Sequence, residues 1–338
     1  MGRTQDGGNW SLAWTPPDYT VDEKGKRVGY VNTSQPNNWG RWGEDDQRGT
    51  ANFITPDMVK AAAALIRTGQ TVSCAIPLDA SGPVHPSRPG VVHLFGYTGA
   101  DFTVGSQLQL IAPRIQGADD YIFMPLQGST QWDSLAHICS DDVMYNGYWI
   151  GNTESGGGAG RNSIHQLKTS LAGRGVLLDL ARWQGADRLE PGVAITPGDL
   201  DACAAEQEVT VGTGDILLLR TGHVPWFYSL ADKSEFWTAG SPGLGRDCVE
   251  WIHRKEIAAV ALDNIATEVE PAEDPSDRLY PLHIRLIRDL GLTLGEVWWL
   301  DDLAEVCAAE GRYEFFLSAP PLNVTNAVGS PLNPIAIL

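Results

Sequence analysis

The chain has 338 residues, enough for one large α/β domain or two ordinary ones, and 43% of them are hydrophobic, as in a globular protein. Its 24 Lys and Arg against 42 Asp and Glu give a net charge of −18, which excludes nucleic acid and anionic membrane surfaces as natural partners. Five scattered cysteines without CxxC spacing argue against a zinc ribbon or a disulfide framework and for a reducing cytoplasm. The first residues lack an apolar signal core, and no apolar run approaches the ~18 residues needed to cross a bilayer, so neither secretion nor membrane insertion is expected.

In chain order, residues 1–38 are rich in Gly, Pro, Asn and Asp and predict an irregular arm lying on the body. Thr55 as N-cap, Pro56 at the first helical position, Ala61–Ala64 and a closing Gly69 predict a helix. Thr71–Ile76 reads as a strand ended by Pro77, and residues 79–100, with His85 and His93, as a long loop of the kind that borders a site. Gln107–Ile111 and Tyr121–Leu126 predict further strands, and Glu154–Gly160 a mobile glycine loop with no lysine for a phosphate-binding role.

The second half alternates more regularly. Gly175–Leu180, Gly214–Gly222 and Ile257–Asp263 read as buried strands, while 197–207, Leu244–Lys255, Pro281–Leu290 and Leu300–Glu310 read as helices. No linker and no internal repeat divides the chain. The pattern predicts a single mixed α/β catalytic domain over 39–320, with 1–38 as the arm and 321–338 as a C-terminal extension.

Seven histidines can each be weighed. His137 stands four residues after Asp133, both behind the polar run Gln127-Gly128-Ser129-Thr130-Gln131, which is costly to bury unless it is hydrogen-bonded or binds something. A polar turn satisfied by its own backbone is the competing explanation. His283 lies on a predicted helix thirteen residues before Glu296, a carboxylate among Leu294, Val297, Trp298 and Trp299. His223, at a strand end, is a substrate contact to consider; His85, His93, His165 and His253 carry weaker signals. No Gly-x-Ser-x-Gly elbow is present, which removes the standard α/β-hydrolase serine mechanism, and no Gly-x-Gly-x-x-Gly follows a strand, so a nicotinamide enzyme loses its main support.

The run Gln127-x-Ser129-Thr130-Gln131-x-Asp133-x-x-x-His137, with His283 and then Glu296, resembles the H-x-G-T-H-x-D-x-x-x-H signature of the cyclase family. That family includes kynurenine formamidases and isatin hydrolase. Trp39–Thr50, Gly214-Asp215 and Gly243-Leu244-Gly245 extend the resemblance across most of residues 38–310. The resemblance implies a central β-sheet or barrel flanked by helices, and a metal centre at Asp133, His283 and Glu296 with Gln131 contributing its carbonyl. His137 is implied as acid/base, and the family's dimers or tetramers imply a homodimer or homotetramer. Gln127 and Gln131 replace two family imidazoles, and amide oxygen is a harder, weaker donor than imidazole nitrogen. The preference therefore shifts from zinc toward manganese or magnesium. Gln127, Ser129 and Thr130, with Trp39, Trp42, Trp132 and His223, are the expected substrate contacts for a small molecule. The implied activity is metal-dependent hydrolysis of an amide, cyclic amide or lactone. A metal-free cyclase, dehydratase or isomerase and an inactive ligand-binding homologue stand as alternatives.

Overall fold

A computed structural model describes residues 2–6, 9–13, 17–105, 115–274 and 280–338, with 2–6 and 9–13 described by backbone alone. The expected strand at Gln107–Ile111 lies outside the described residues. No helix among them is long and apolar enough to cross a membrane.

One nine-stranded sheet organises the molecule. Its strands are β1 (Thr71–Ser73), β2 (Gln131–Asp133), β3 (Ala172–Asp179), β4 (Ile216–Arg220), β5 (Ala259–Leu262), β6 (Thr293–Glu296), β7 (Glu314–Ser318), β8 (Gly329–Pro331) and β9 (Ile335–Ile337). Their order across the sheet is β8-β2-β6-β5-β4-β3-β7-β9-β1. The middle four run parallel, as expected of strands joined by helical crossovers, and the pairs outside them are antiparallel. The sheet curls into a half-barrel flanked by helices, so the chain is a single mixed α/β domain.

Alternation along the parallel strands builds two apolar layers. Val176, Leu217, Leu219, Val260 and Leu262 pack on one face against Leu200 and Trp251 of the helices Pro197–Glu206 and Cys248–Lys255. Leu177, Ile216, Leu218, Ala259 and Ala261 pack on the other with Leu303 and Cys307 of the helix Asp301–Glu310. Burial on both faces explains why these strands read as continuous apolar runs. Each buried Leu or Val removed from water contributes about 1.5–3 kcal/mol.

Several boundaries differ from the sequence expectation. Residues 321–338 are no extension: β8 and β9 belong to the sheet, and β8 lies beside β2. The arm carries two small antiparallel pairs, Gly2–Asp6 with Asn9–Ala13 and Thr20–Val21 with Arg27–Val28. The loop 79–100 contains a strand, Val92–Tyr97, which forms a separate hairpin with Asp119–Phe123. The glycine loop at 154–160 closes as a short pair, Thr153–Glu154 with Gly158–Ala159. The expected helix Pro281–Leu290 is helical from Pro281 to His283 and then widens into a π-helix, Ile284–Asp289.

Candidate active site

β2 is fully buried and sits between β6 and β8, with Gln131 opposite Glu296 and Asp133 opposite Gly329. Side chains alternate along a strand, so Gln131 and Asp133 share a face and Trp132 takes the other. Glu296 ends β6, and His283 comes from the helical segment just before that strand. One ligand-type atom from each of Asp133, His283 and Glu296 lies within 4.8 Å of the others, and all three residues are buried.

Each member is held by a distinct contact. Gln131 Nε2 donates to Glu296 Oε2 at 3.1 Å, and Thr267 Oγ1 donates to Glu296 Oε1 at 3.3 Å. His283 Nδ1 donates to Glu268 Oε1 at 2.6 Å, and its Nε2 lies 3.2 Å from Glu296 Oε1. Glu268 also accepts from the backbone N–H groups of Leu282 at 3.0 Å and His283 at 3.1 Å, so one carboxylate closes the helix start and orients the imidazole. The backbone is strained beside these groups. Thr267, Tyr280 and Val297 have φ of 56°, 55° and 59°, a left-handed conformation that is costly for β-branched and bulky residues and that clusters at functional sites.

The electrostatics follow from burial and proximity. Burial first, and then the charge of Glu296, raise the Asp133 pKa well above the usual carboxylate range. Burial lowers the His283 pKa, but hydrogen bonds to Glu268 and Glu296 overcome this and bring it to about 10. His137 goes the other way, pushed down to about 3 by burial and then by His283 and Arg88, so its ring is neutral at pH 7. Its Nε2 lies 3.8 Å from Asp133 Oδ1, and its Nδ1 is 3.5 Å from the Gln127 amide.

A divalent cation fits this donor set. Both Asp133 carboxylate oxygens and Gln131 Oε1 are buried without a hydrogen-bond partner, although buried acceptors are almost always paired. Three oxygen donors beside Glu296 and one imidazole make a hard-leaning site.

A cavity opens onto this cluster. His85, Arg88, Gln127, His137, Trp237 and Tyr280 line it together with Gln131, His283 and Glu296. Other expected substrate contacts lie elsewhere. Trp132 points to the core face, where it stands edge-on to Trp298 and donates to Ala319 O. Thr130 Oγ1 donates to Val297 O at 2.6 Å and accepts from Ile76 N–H at 3.0 Å, bracing β2 rather than facing the cavity. Ser129 lines a separate apolar cleft with Leu78 and Leu322. Trp39 donates from Nε1 to Arg288 O at 2.7 Å and supports the helix that carries His283, while Trp42 packs edge-on against Phe53. His223 is fully buried and stacks on Phe236 with ring centroids 4.5 Å apart.

Glu268, Arg88, Glu270, Trp237 and Tyr280 were not singled out by sequence reasoning. Their sequence surroundings carry no spacing signal; only the proline- and glycine-rich stretch around His85 and Arg88 pointed to a site border.

Comparison with known proteins bears on the family and the fold. Residues 72–269 match the cyclase family. The crystal structure of a novel cyclase is similar at 48% identity and a TM-score of 0.84, covering 89% of this chain and 99% of that one. Isatin hydrolase A from Ralstonia solanacearum, at 19% identity and a TM-score of 0.56, covers 84% of this chain and 98% of its own. An isatin hydrolase bound to the product analogue thioisatinate gives 19% identity and 0.55, covering 84% of this chain and 99% of its own, so these two share the fold. No curated protein matches the sequence. The 48% identity over most of the chain, together with the family match over more than half of it, makes this protein a member of the cyclase family.

Proposed function

We propose that this protein is a divalent-metal-dependent hydrolase that opens a C–N or C–O bond of an amide, cyclic amide or lactone. The observation that carries the reading is Asp133, a fully buried carboxylate whose two oxygens have no hydrogen-bond partner and which lies within ligand distance of His283 and Glu296. A divalent cation bound there supplies the Lewis acidity that polarises a carbonyl and eases deprotonation of water.

The chain's own residues supply the rest. Glu268 fixes the His283 ring through Nδ1–H, which directs Nε2 toward Asp133 and Glu296. Gln131 holds Glu296 through its amide N–H and turns its carbonyl oxygen toward the same space. His137, neutral at pH 7, takes a proton from attacking water at Nε2 and returns it to the leaving atom. The Gln127 amide nitrogen lies 3.5 Å from His137 Nδ1 and steadies the ring. Replacement of two family imidazoles by Gln127 and Gln131 favours manganese or magnesium over zinc.

The test is thermal stability and hydrolysis with and without Mn²⁺, Mg²⁺ and Zn²⁺, for wild type and Asp133→Asn. Mn²⁺ or Mg²⁺ should raise the Tm and support hydrolysis of a lactone or cyclic imide in the wild type alone. Hydrolysis that survives exhaustive chelation would overturn the reading in favour of metal-free proton transfer.

A further inference from the structure

We propose that the cavity takes a substrate that carries a carboxylate, and that Arg88 is the residue that holds it. The inference rests on the hydrolase reading for the bond that is cut, and it adds the chemical class of the molecule cut.

Arg88 lines the cavity and is half-buried. Its Nη1 donates to the Gln127 carbonyl at 2.6 Å, which anchors the guanidinium at the start of the motif, in the turn before β2. No Asp or Glu among the described residues lies within ion-pair distance of it, although acidic residues outnumber basic ones in this chain by 42 to 24. Arg174 meets Asp215 and Glu314, Arg220 meets Asp179 and Asp301, and Arg288 meets Asp141 and Asp289, whereas the half-buried Arg48 and Arg312 bond to Ser170 Oγ and to the Leu65 and Glu314 carbonyls; among these Arg88 alone lines the cavity. Arg88 is unpaired even though Glu270 and Glu296 border the same cavity.

Its position decides what it can bind. Arg88 leads through Gln127 to His137 and from there to Asp133, so it stands on the acid/base side of the cavity. Glu270 also borders the cavity, in the field of Glu268, Glu296 and His283. With Asp133 and Glu296 balanced by a divalent cation, the guanidinium is a positive charge on the cavity wall to which no carboxylate among the described residues is paired. A carboxylate offers the two in-plane oxygens that match its remaining N–H groups. Trp237 and Tyr280 supply flat apolar surface for the body of such a molecule.

The test uses sodium benzoate and its neutral isostere benzamide, titrated by calorimetry into Mn²⁺-loaded wild type, Arg88→Gln and Arg88→Lys. Benzoate should bind the wild type at least tenfold more tightly than benzamide. That preference should shrink roughly ten- to hundredfold in Arg88→Gln and be partly retained in Arg88→Lys. An unchanged benzoate affinity in Arg88→Gln would place the carboxylate on the metal and overturn the proposal. Failure of the wild type to prefer benzoate, or to bind either probe, would overturn it as well. The Mn²⁺-induced rise in Tm, measured on the same variants, reports folding and the metal reading separately. Loss of the benzoate preference with that rise intact is specific to Arg88, while absence of any Mn²⁺ response counts against the hydrolase reading itself.

Discussion

His223, fully buried, and His137, half-buried on the cavity wall, both have pKa values near 3, but they carry different consequences. His223 has lost its water to Phe236 and Trp226, and neither ring nitrogen has a partner. Its folded pKa lies below the ordinary 6.5, so the unfolded chain binds the proton more tightly. The stability this histidine contributes is therefore fully present above pH 6.5 and is lost as pH falls toward 3, by up to about 1.4 kcal/mol per pH unit. His223→Phe, which keeps the stacked shape, should flatten the acid limb of a Tm-against-pH curve between those values; an unchanged limb would show that other groups dominate. His137→Ala should leave the Tm close to wild type and lower turnover by ~10²-fold or more, measured on Mn²⁺-loaded enzyme. Near-normal turnover would remove it from the mechanism. Thr130→Val leaves the Ile76 N–H without its buried acceptor and should cost about 1–3 kcal/mol in urea unfolding, with the largest part of the effect on stability rather than on chemistry.

At the scale of elements, the helix that bears His283 owes its placement to Glu268. That carboxylate accepts two N–H groups of the first helical turn and the imidazole N–H together. Glu268→Gln keeps the volume and loses the charge, and should weaken Mn²⁺ binding roughly 10- to 100-fold in a calorimetric titration with little change in overall fold. The widening into a π-helix just after His283 is a distortion frequent at functional sites, and it accompanies the tie from Trp39 Nε1 to Arg288 O. The hairpin of Val92–Tyr97 and Asp119–Phe123 presents a different problem. Leu94, Phe95, Tyr121 and Phe123 are each more than half exposed, at 60%, 57%, 65% and 66%, and a lone two-stranded hairpin is marginal in water. Covering by a second copy of the chain accords with the expected homo-oligomer. Sedimentation should then show a dimer or tetramer that Leu94→Lys with Phe123→Lys dissociates. A monomeric wild type would refute this.

For the whole molecule, the sheet is the device that assembles the cluster. Gln131 and Glu296 are 165 positions apart in sequence, and they meet because β2 joins the parallel strands antiparallel at the edge of β6. β8 completes the arrangement from the C-terminal end, where the absence of a side chain at Gly329 leaves room for Gln127 beside Asp133. A truncation before Gly329 would therefore strip β2 of one neighbour, a larger effect than loss of a surface tail.

Sequence alone was enough for the fold class, the family resemblance and the polar motif. Continuous apolar runs such as Ile216–Leu219 have few fates other than a buried strand, and Asp133, His283 and Glu296 are residues whose burial demands compensation. The sequence also carried the two glutamines, and with them the departure from an imidazole-rich metal site. The tertiary structure decided which neighbours count. Strand alternation turned Trp132 away from the cavity and long-range packing placed Trp39, Trp42 and His223 in supporting roles, whereas Glu268, Arg88, Trp237 and Tyr280 arrived at the site from segments with no periodic signal. Their positions depend on which strands pair and how the chain returns to them, and that information resides in contacts between distant residues rather than in any local pattern.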